Sequence, residues 1–351
     1  MGLFMPDWRD SHLTPAQKNR VIRKIASMGN QKKLAGIARE AKDRRIRTAA
    51  AEKLEEAGLL TEMAFSDPDR EVREAAVRRL AGLDAEGALV KIAMECDDGG
   101  IGRSAADAVR SAENLARIAG EAAHGAARES AVGRVEDPDV LSAAMSDDYW
   151  GVRNAAVRKI TDPEILRRAA LTDPNSSTRA AAVENPALTD QAVLAEVATR
   201  NTEPSVALKA VESGKLKDPA LLKKVAMESG NDLVRQKAVE MIDEAPILAA
   251  VAGAPGDKYH WAAWTAALKL SRIAPEQAVE PLVRLMELDR GEHLGREQLN
   301  EALHFLADRY RSSASDAVRK EISSLSGGRY GHSEVIGCQH GDTMMHFDLG
   351  S

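Results

Sequence analysis

Apolar residues along most of this chain recur in short bursts at intervals of three and four, and two kinds of burst alternate. The first reads Leu, two variable positions, then an apolar residue and alanine, as in Leu34-Ile37-Ala38, Leu60-Met63-Ala64 and Leu222-Val225-Ala226. It starts again at Leu89, Leu115, Leu141, Leu166, Leu194 and Leu248, with a tenth instance at Leu282. The second burst carries an arginine. It reads VREAAV at Val72–Val77, ARESAV at Ala127–Val132, VRNAAV at Val152–Val157, TRAAAV at Thr178–Val183 and VRQKAV at Val234–Val239, with a looser IRTAAA at Ile46–Ala51. These intervals are those of one face of an α-helix. Strictly alternating runs rich in β-branched residues, the mark of a half-buried strand, are missing.

The first nine instances of the leucine burst are spaced by roughly 25–29 residues, within the range of solenoid repeats. Each unit therefore predicts two short helices, the leucine helix first and the arginine helix second. Asp-Pro pairs punctuate them: Asp67-Pro68 and Asp173-Pro174 before second helices, Asp137-Pro138, Asp162-Pro163 and Asp218-Pro219 before first helices. Asp at an N-cap accepts an orphan backbone N–H and Pro at the next position lacks one, so all five read as helix starts. The expected fold is all-α, an α-solenoid (an armadillo- or HEAT-like superhelix) of about nine to ten two-helix repeats. Residues 1–30 form an N-terminal capping segment, 31–290 the solenoid, 291–326 C-terminal capping helices that include one over Arg296–Arg311, and 327–351 a flexible tail containing His and Asp.

On a helical wheel Arg153 lies about 100° from Val152, inside the arc spanned by Val152, Ala156, Ile160 and Val157. A guanidinium there needs a partner, because an unpaired buried charge is strongly destabilising. Arg47, Arg73, Arg128, Arg153, Arg179 and Arg235 thus read as a structural ladder, with Asp67, Asp69, Asp147, Asp148, Asp173 and Asp232 as expected partners. Outward-pointing Glu74, Asn154 and Arg158 are expected to face a groove lined by second helices. The pattern breaks three times. At 99–112 Gly102 and Asp107 read as standing at the two valine positions, and Ala207 and Trp264 replace the arginine in later units.

These units resemble short HEAT-type repeats, VREAAVRRL and VRNAAVRKI being close to the usual second-helix pattern. STRAAAVENPALTDQAVLAEVA, Ser177 to Ala198, is similar to the leucine-rich-repeat variant, in which Asn-Pro (here Asn185-Pro186) cuts the second helix short. With the opening MGLFMPDWRD, the layout is similar to uncharacterised bacterial HEAT-repeat proteins. The resemblance implies architecture and no defined reaction. A di-iron hydroxylase of that fold uses His-Glu dipeptides, and this sequence has none; bilin lyases share the scaffold without a signature that appears here.

Composition changes this picture little. Aromatics make up 3% of the chain, so its core is built from Ala, Leu, Val and Ile. The formal net charge is −6, which gives no global basic surface for nucleic acid. Residues 1–80, however, carry roughly five more basic than acidic side chains. Two cysteines, Cys96 and Cys338, make no disulfide framework. A signal peptide, a myristoylation motif (Pro6 stands where Ser or Thr is needed) and a membrane-spanning run are not visible. A cytoplasmic location is expected.

Candidate chemistry is concentrated in the tail, where His332, Cys338, His340, Asp342, His346 and Asp348 are zinc-type ligands without the spacing of a standard site. Aromatics cluster at Tyr149-Trp150 and at Tyr259 to Trp264. Trp264, at a ladder position, reads as core; Trp150, in a turn just ahead of a second helix, and Trp261 read as packing or as partner contacts, with Tyr149 beside Trp150. GGIGRS, Gly99–Ser104, lacks the third glycine and the preceding strand of a dinucleotide loop. With no catalytic motif, the expectation is a non-catalytic scaffold that binds a protein or peptide on a concave face. Two alternatives stand beside it: nucleic-acid binding at residues 1–80, as in DNA-alkylation-repeat proteins, and a metal-dependent module built on the tail.

Overall fold

The computed structural model describes residues 6–200, 203–254 and 260–289, together with 305, 338–339 and 344–345. It is all-α. An initial helix α1 (Pro15–Ala26) precedes nine helical pairs among the described residues: α2–α3 (Gln31–Glu40, Arg44–Ala51), α4–α5 (Ala57–Ser66, Arg70–Gly82), α6–α7 (Glu86–Glu95, Gly99–Ala108), α8–α9 (Ala112–Glu121, Gly125–Val132), α10–α11 (Pro138–Ala144, Trp150–Val157), α12–α13 (Pro163–Thr172, Ser176–Glu184), α14–α15 (Gln191–Arg200, Pro204–Glu212), α16–α17 (Pro219–Glu228, Asp232–Glu240) and α18–α19 (Ala245–Ala252, His260–Ile273). Helix α20 (Pro275–Asp289) follows and contains buried Leu282. The one departure from helix among the described residues is a two-residue antiparallel pair, Cys338–Gln339 with Met344–Met345.

The chain divides into two compact units, Met1–Leu188 and Thr189–Ser351. In the first, α2, α4, α6, α8, α10 and α12 form one layer and α3, α5, α7, α9, α11 and α13 the other; each helix packs on its partner, each second helix on its counterpart in the next pair, and α4, α6, α8 and α10 pack in succession. The second helices touch one another more extensively than the first helices do. Their small inner side chains permit this approach: Ala75, Ala76, Ala105, Ala106, Ala131, Ala156, Ala181 and Ala182 are all buried. Helix α1 packs on α3 as a preceding second helix would. Its start is fixed by a capping box between Thr14 and Gln17.

Asp-Pro has two structural roles, not one. Asp137, Asp162 and Asp218 cap α10, α12 and α16 with Pro at the first helical position. Asp67 and Asp173, by contrast, end the preceding helices, and the caps of α5 and α13 are Asp69 and Asn175. The N–H groups of Asp69 and Asn175 donate to the carboxylates of Asp67 and Asp173. The carboxylates two residues ahead of the caps are thereby left for another partner. The expected register of the third pair also shifts by one. Counted from its cap Asp98, α7 places buried Ile101 and Ala106 at the valine positions and Gly102 at the arginine position.

Candidate functional site

The arginine ladder accounts for those free carboxylates. Arg47 donates to its own loop, at the carbonyls of Ala41 and Lys42, and forks onto Asp67 of the next pair at 2.8 and 2.9 Å. Arg128 does the same with Ala122, Ala123 and Asp147, and adds Asp148. Arg153 donates to the carbonyls of Asp147 and Asp148 and forks onto Asp173 at 2.8 and 3.0 Å, with both partners buried. Each such arginine ties its own loop to the next. Each carboxylate two residues before a second-helix cap, Asp67, Asp147 and Asp173, follows a pair that supplies an arginine. Where that pair has Gly102 or Ala207, the position holds Ala122 or Ser229.

Arg73 departs from the expected partner set. Buried Cys96 stands at its acid position, and Arg73 turns to the capping carboxylate of Asp98, at 2.8 Å. Burial raises the Cys96 thiol above its ordinary value. Arg179 donates to the carbonyls of Asp173 and Pro174. Arg235 donates to Ser229 O and pairs with Asp232, which is the first residue of its own helix and not a loop acid ahead of it.

A second set of interhelical ties was not expected. Near the C-terminal ends of second helices, a polar side chain donates back to carbonyls that end the previous second helix: Arg79 to Leu54, Arg134 to Ala106 and Asp107, Lys159 to Gly133 and Val135, Asn185 to Val157 and Ile160. Carbonyls at and just past a helix end have no i+4 helical donor, and their end of the helix dipole is negative. The ladders at both ends therefore consume the inward arginines, and a surface for a partner must come from what points outward.

The hydrogen bonds of the Arg–Asp ladder also act on its carboxylates. Burial alone would raise Asp147, but the Arg128 guanidinium and the Tyr149 backbone N–H outweigh it and hold the carboxyl below its ordinary range. A depressed folded-state pKa contributes stability that is present above the unfolded carboxylate value, about 3.9, and lost as pH falls through the lower folded one. Urea unfolding from pH 6 to pH 2.5 should show this loss, and Arg128→Met should flatten that limb of the profile.

The outward surface is unusual on α7, α9 and α11. Most second helices are capped by Asp43, Asp69, Asp98, Asn175 and Asn231, while α15 has Glu203 at its cap without a side-chain hydrogen bond. At α9 and α11 the cap positions hold His124 and Tyr149, and neither side chain makes a capping hydrogen bond. Instead their rings lie against glycines that begin the previous second helix. A Cβ on Gly99 would stand 2.5 Å from the His124 ring, and one on Gly125 would stand 2.5 Å from the Tyr149 ring. Trp150 follows, 44% exposed, with its ring centroid 6.1 Å from that of Tyr149. His124, Tyr149 and Trp150 thus form an aromatic edge along two successive pairs, with Glu129 and Arg103 paired beside it. Restoring a cap with His124→Asn should stabilise the fold by about 1 kcal/mol. A chemical-denaturation midpoint no higher than that of the wild type would contradict the claim that α9 forgoes a cap.

The remaining sequence candidates are placed as follows. Glu74 is half-buried, pairs with Arg70 and lines a shallow cavity of about 350 Å³ with Val77, Arg78, Ala81, Ser104 and Ala108. Asn154 is half-buried, donates to Ser177 O and accepts from exposed Arg158. Trp261 is half-buried and Trp264 fully buried. Glu74 and Asn154 are therefore less open than the wheel implied, because neighbouring second helices cover part of each. Gly99–Ser104 lies in α7. Cys338 falls in the short strand pair, while His332, His340, Asp342, His346, Asp348 and most of 291–326 lie outside the described residues. Among the described residues no group of three or more His, Cys, Asp or Glu could hold a metal ion, and no helix is long and apolar enough to cross a membrane. His124 was missed because a histidine before a glycine carries no motif. Its signal was positional, at a cap where Asp or Asn stands in most other pairs.

No family model matches the chain, and no curated protein matches it. Solved structures that are similar include an engineered protein (19% identity, 90% of each chain covered, TM-score 0.24). A designed armadillo repeat protein in complex with a (KR)4 peptide matches at 17% identity over 80% of this chain and 99% of that one, TM-score 0.17. Computationally designed armadillo repeat proteins for modular peptide recognition match at 16% identity over 85% and 98%, TM-score 0.12. At TM-scores this low nothing further about this chain follows from them.

Proposed function

We propose that the chain is a non-catalytic, HEAT-like scaffold that holds a protein segment along the second-helix layer of residues 6–188, with Trp150 as its anchor. The observation that carries this reading is the aromatic edge. At α9 and α11, successive second helices, His124 and Tyr149 stand where Asp or Asn caps most others, and an indole stays in solvent in a chain with few aromatics. Positions where a local rule is broken are expected at functional sites more often than elsewhere in a fold. Exposed tryptophan beside tyrosine is the composition of an interface hot spot.

Selection from a random peptide display library on the full chain tests this reading. Peptides enriched on the wild type should be lost on Trp150→Ala. Enrichment that is equal on both, or absent on both, would remove the aromatic edge as the binding surface.

A further inference from the structure

Building on that reading of the second-helix layer, we propose that Arg20, Arg23 and Arg45 form a subsite on the same layer that takes acidic side chains of a bound protein segment. Arg45 is the second residue of α3 and follows Arg44; the cap is Asp43, whose carboxylate is taken by the Arg45 backbone N–H and by Lys18 of α1, and no acidic residue occupies the first turn itself. Positive charge at a helix N-terminus opposes the helix dipole. Arg45 reaches across to α1, where its Nη2 donates to Asn19 Oδ1 at 3.2 Å. Arg23 Nε donates to the backbone carbonyl of the same asparagine at 3.4 Å. Two guanidiniums therefore end on one residue, and exposed Arg20 follows that asparagine in α1, about one turn before Arg23.

Three outward arginines on this layer close on carboxylates, Arg44 on Asp69 and Glu71, Arg70 on Glu74 and Arg103 on Glu129, whereas Arg158 closes on Asn154 and Arg78 on no carboxylate. Among the described residues Arg20, Arg23 and Arg45 have none. Gathered like charges with unused fork donors match a carboxylate, which a guanidinium binds in bidentate fashion.

A peptide fits this surface better than a nucleic acid. The next helix presents Glu71 and Glu74, which a continuous phosphate backbone would have to pass, whereas a peptide can place its acids at the arginines alone. Four helix-to-helix steps of about 8–10 Å separate α3 from α11, so one extended segment would need roughly 10–12 residues to reach both the arginines and Trp150.

The test is fluorescence anisotropy of the full chain with fluorescein-labelled hexaglutamate, using hexaserine as the neutral probe. The triple variant Arg20→Ala, Arg23→Ala, Arg45→Ala should bind hexaglutamate about tenfold more weakly than the wild type at low salt. A charge-matched variant of the outer helices, Lys32→Ala, Arg39→Ala, Lys91→Ala, should bind as the wild type does. Absence of saturable binding, or equal loss in both variants, overturns the subsite. A dodecamer of oligothymidylate that binds more tightly than hexaglutamate and is lost in the same variant would reassign it to nucleic acid. Sedimentation of the protein alone that shows self-association abolished by the variant would reassign it to a second copy. Trp150→Ala should leave hexaglutamate binding unchanged, so failure of the aromatic edge and failure of the arginine subsite are read separately.

Discussion

Arg153→Ala is expected to destabilise the first unit by about 3–5 kcal/mol, the cost of leaving one partner of a buried ion pair uncompensated. Asp173 is itself 8% exposed and accepts two hydrogen bonds from Arg153, so the substitution strands a carboxylate in the stack. It also removes the donor to two carbonyls of the Asp147-Asp148 turn. Replacing both partners should behave differently. Arg153→Met with Asp173→Leu removes the charge along with its need for solvation, and such swaps are often close to neutral. Most of the single-variant loss should therefore disappear in the double variant, although the two turn carbonyls remain without their donor and the Asn175 N–H without its acceptor. Denaturation of the four proteins of this cycle checks the argument. Additive losses would show that Arg153 and Asp173 do not act as a pair.

Trp150→Ala is expected to do the opposite. The indole is 44% exposed and begins α11, so its truncation removes little buried surface, and stability should change by less than about 0.5 kcal/mol. Binding of peptides selected on the wild-type chain should fall by about 2 kcal/mol or more, the scale of a tryptophan hot spot. Titration of one selected peptide into both proteins measures this directly. Retained affinity would place the anchor elsewhere.

Much of the fold could be read from periodicity, because each helix must bury one stripe and the stripe repeats. The alternation of Leu34-Ile37-Ala38 with Ile46-Arg47 already contains a helical pair. Register was harder. Gly102 was set at a valine position because the burst of α7 is too sparse to fix its phase, and only the cap at Asp98 does so. Asp-Pro misled for a similar reason. The dipeptide is the same at Asp137 and at Asp173, but at Asp173 the chain needs two further residues before the helix starts, and the carboxylate serves an arginine about twenty residues back. Such pairings are long-range, and a wheel drawn for one helix does not contain them. The ties from Arg79, Arg134, Lys159 and Asn185 to the previous helix end were invisible for the same reason. On the site, the wheel could flag Asn154 as outward but not that Ser177 O and Arg158 engage it. Exposure of Trp150 was legible from its place ahead of a helix start. Seating of His124 and Tyr149 on glycines was not, since it depends on how closely successive second helices approach.

The central claim is that the recurring arginine holds the stack together while the aromatic edge meets the partner. The most direct measurement is a paired one: the denaturation midpoint and the affinity for one display-selected peptide, determined on Arg153→Ala and on Trp150→Ala under conditions where both remain folded. The account predicts a lowered midpoint with retained affinity for Arg153→Ala, and an unchanged midpoint with lost affinity for Trp150→Ala. An unchanged midpoint with lost affinity for Arg153→Ala would contradict it.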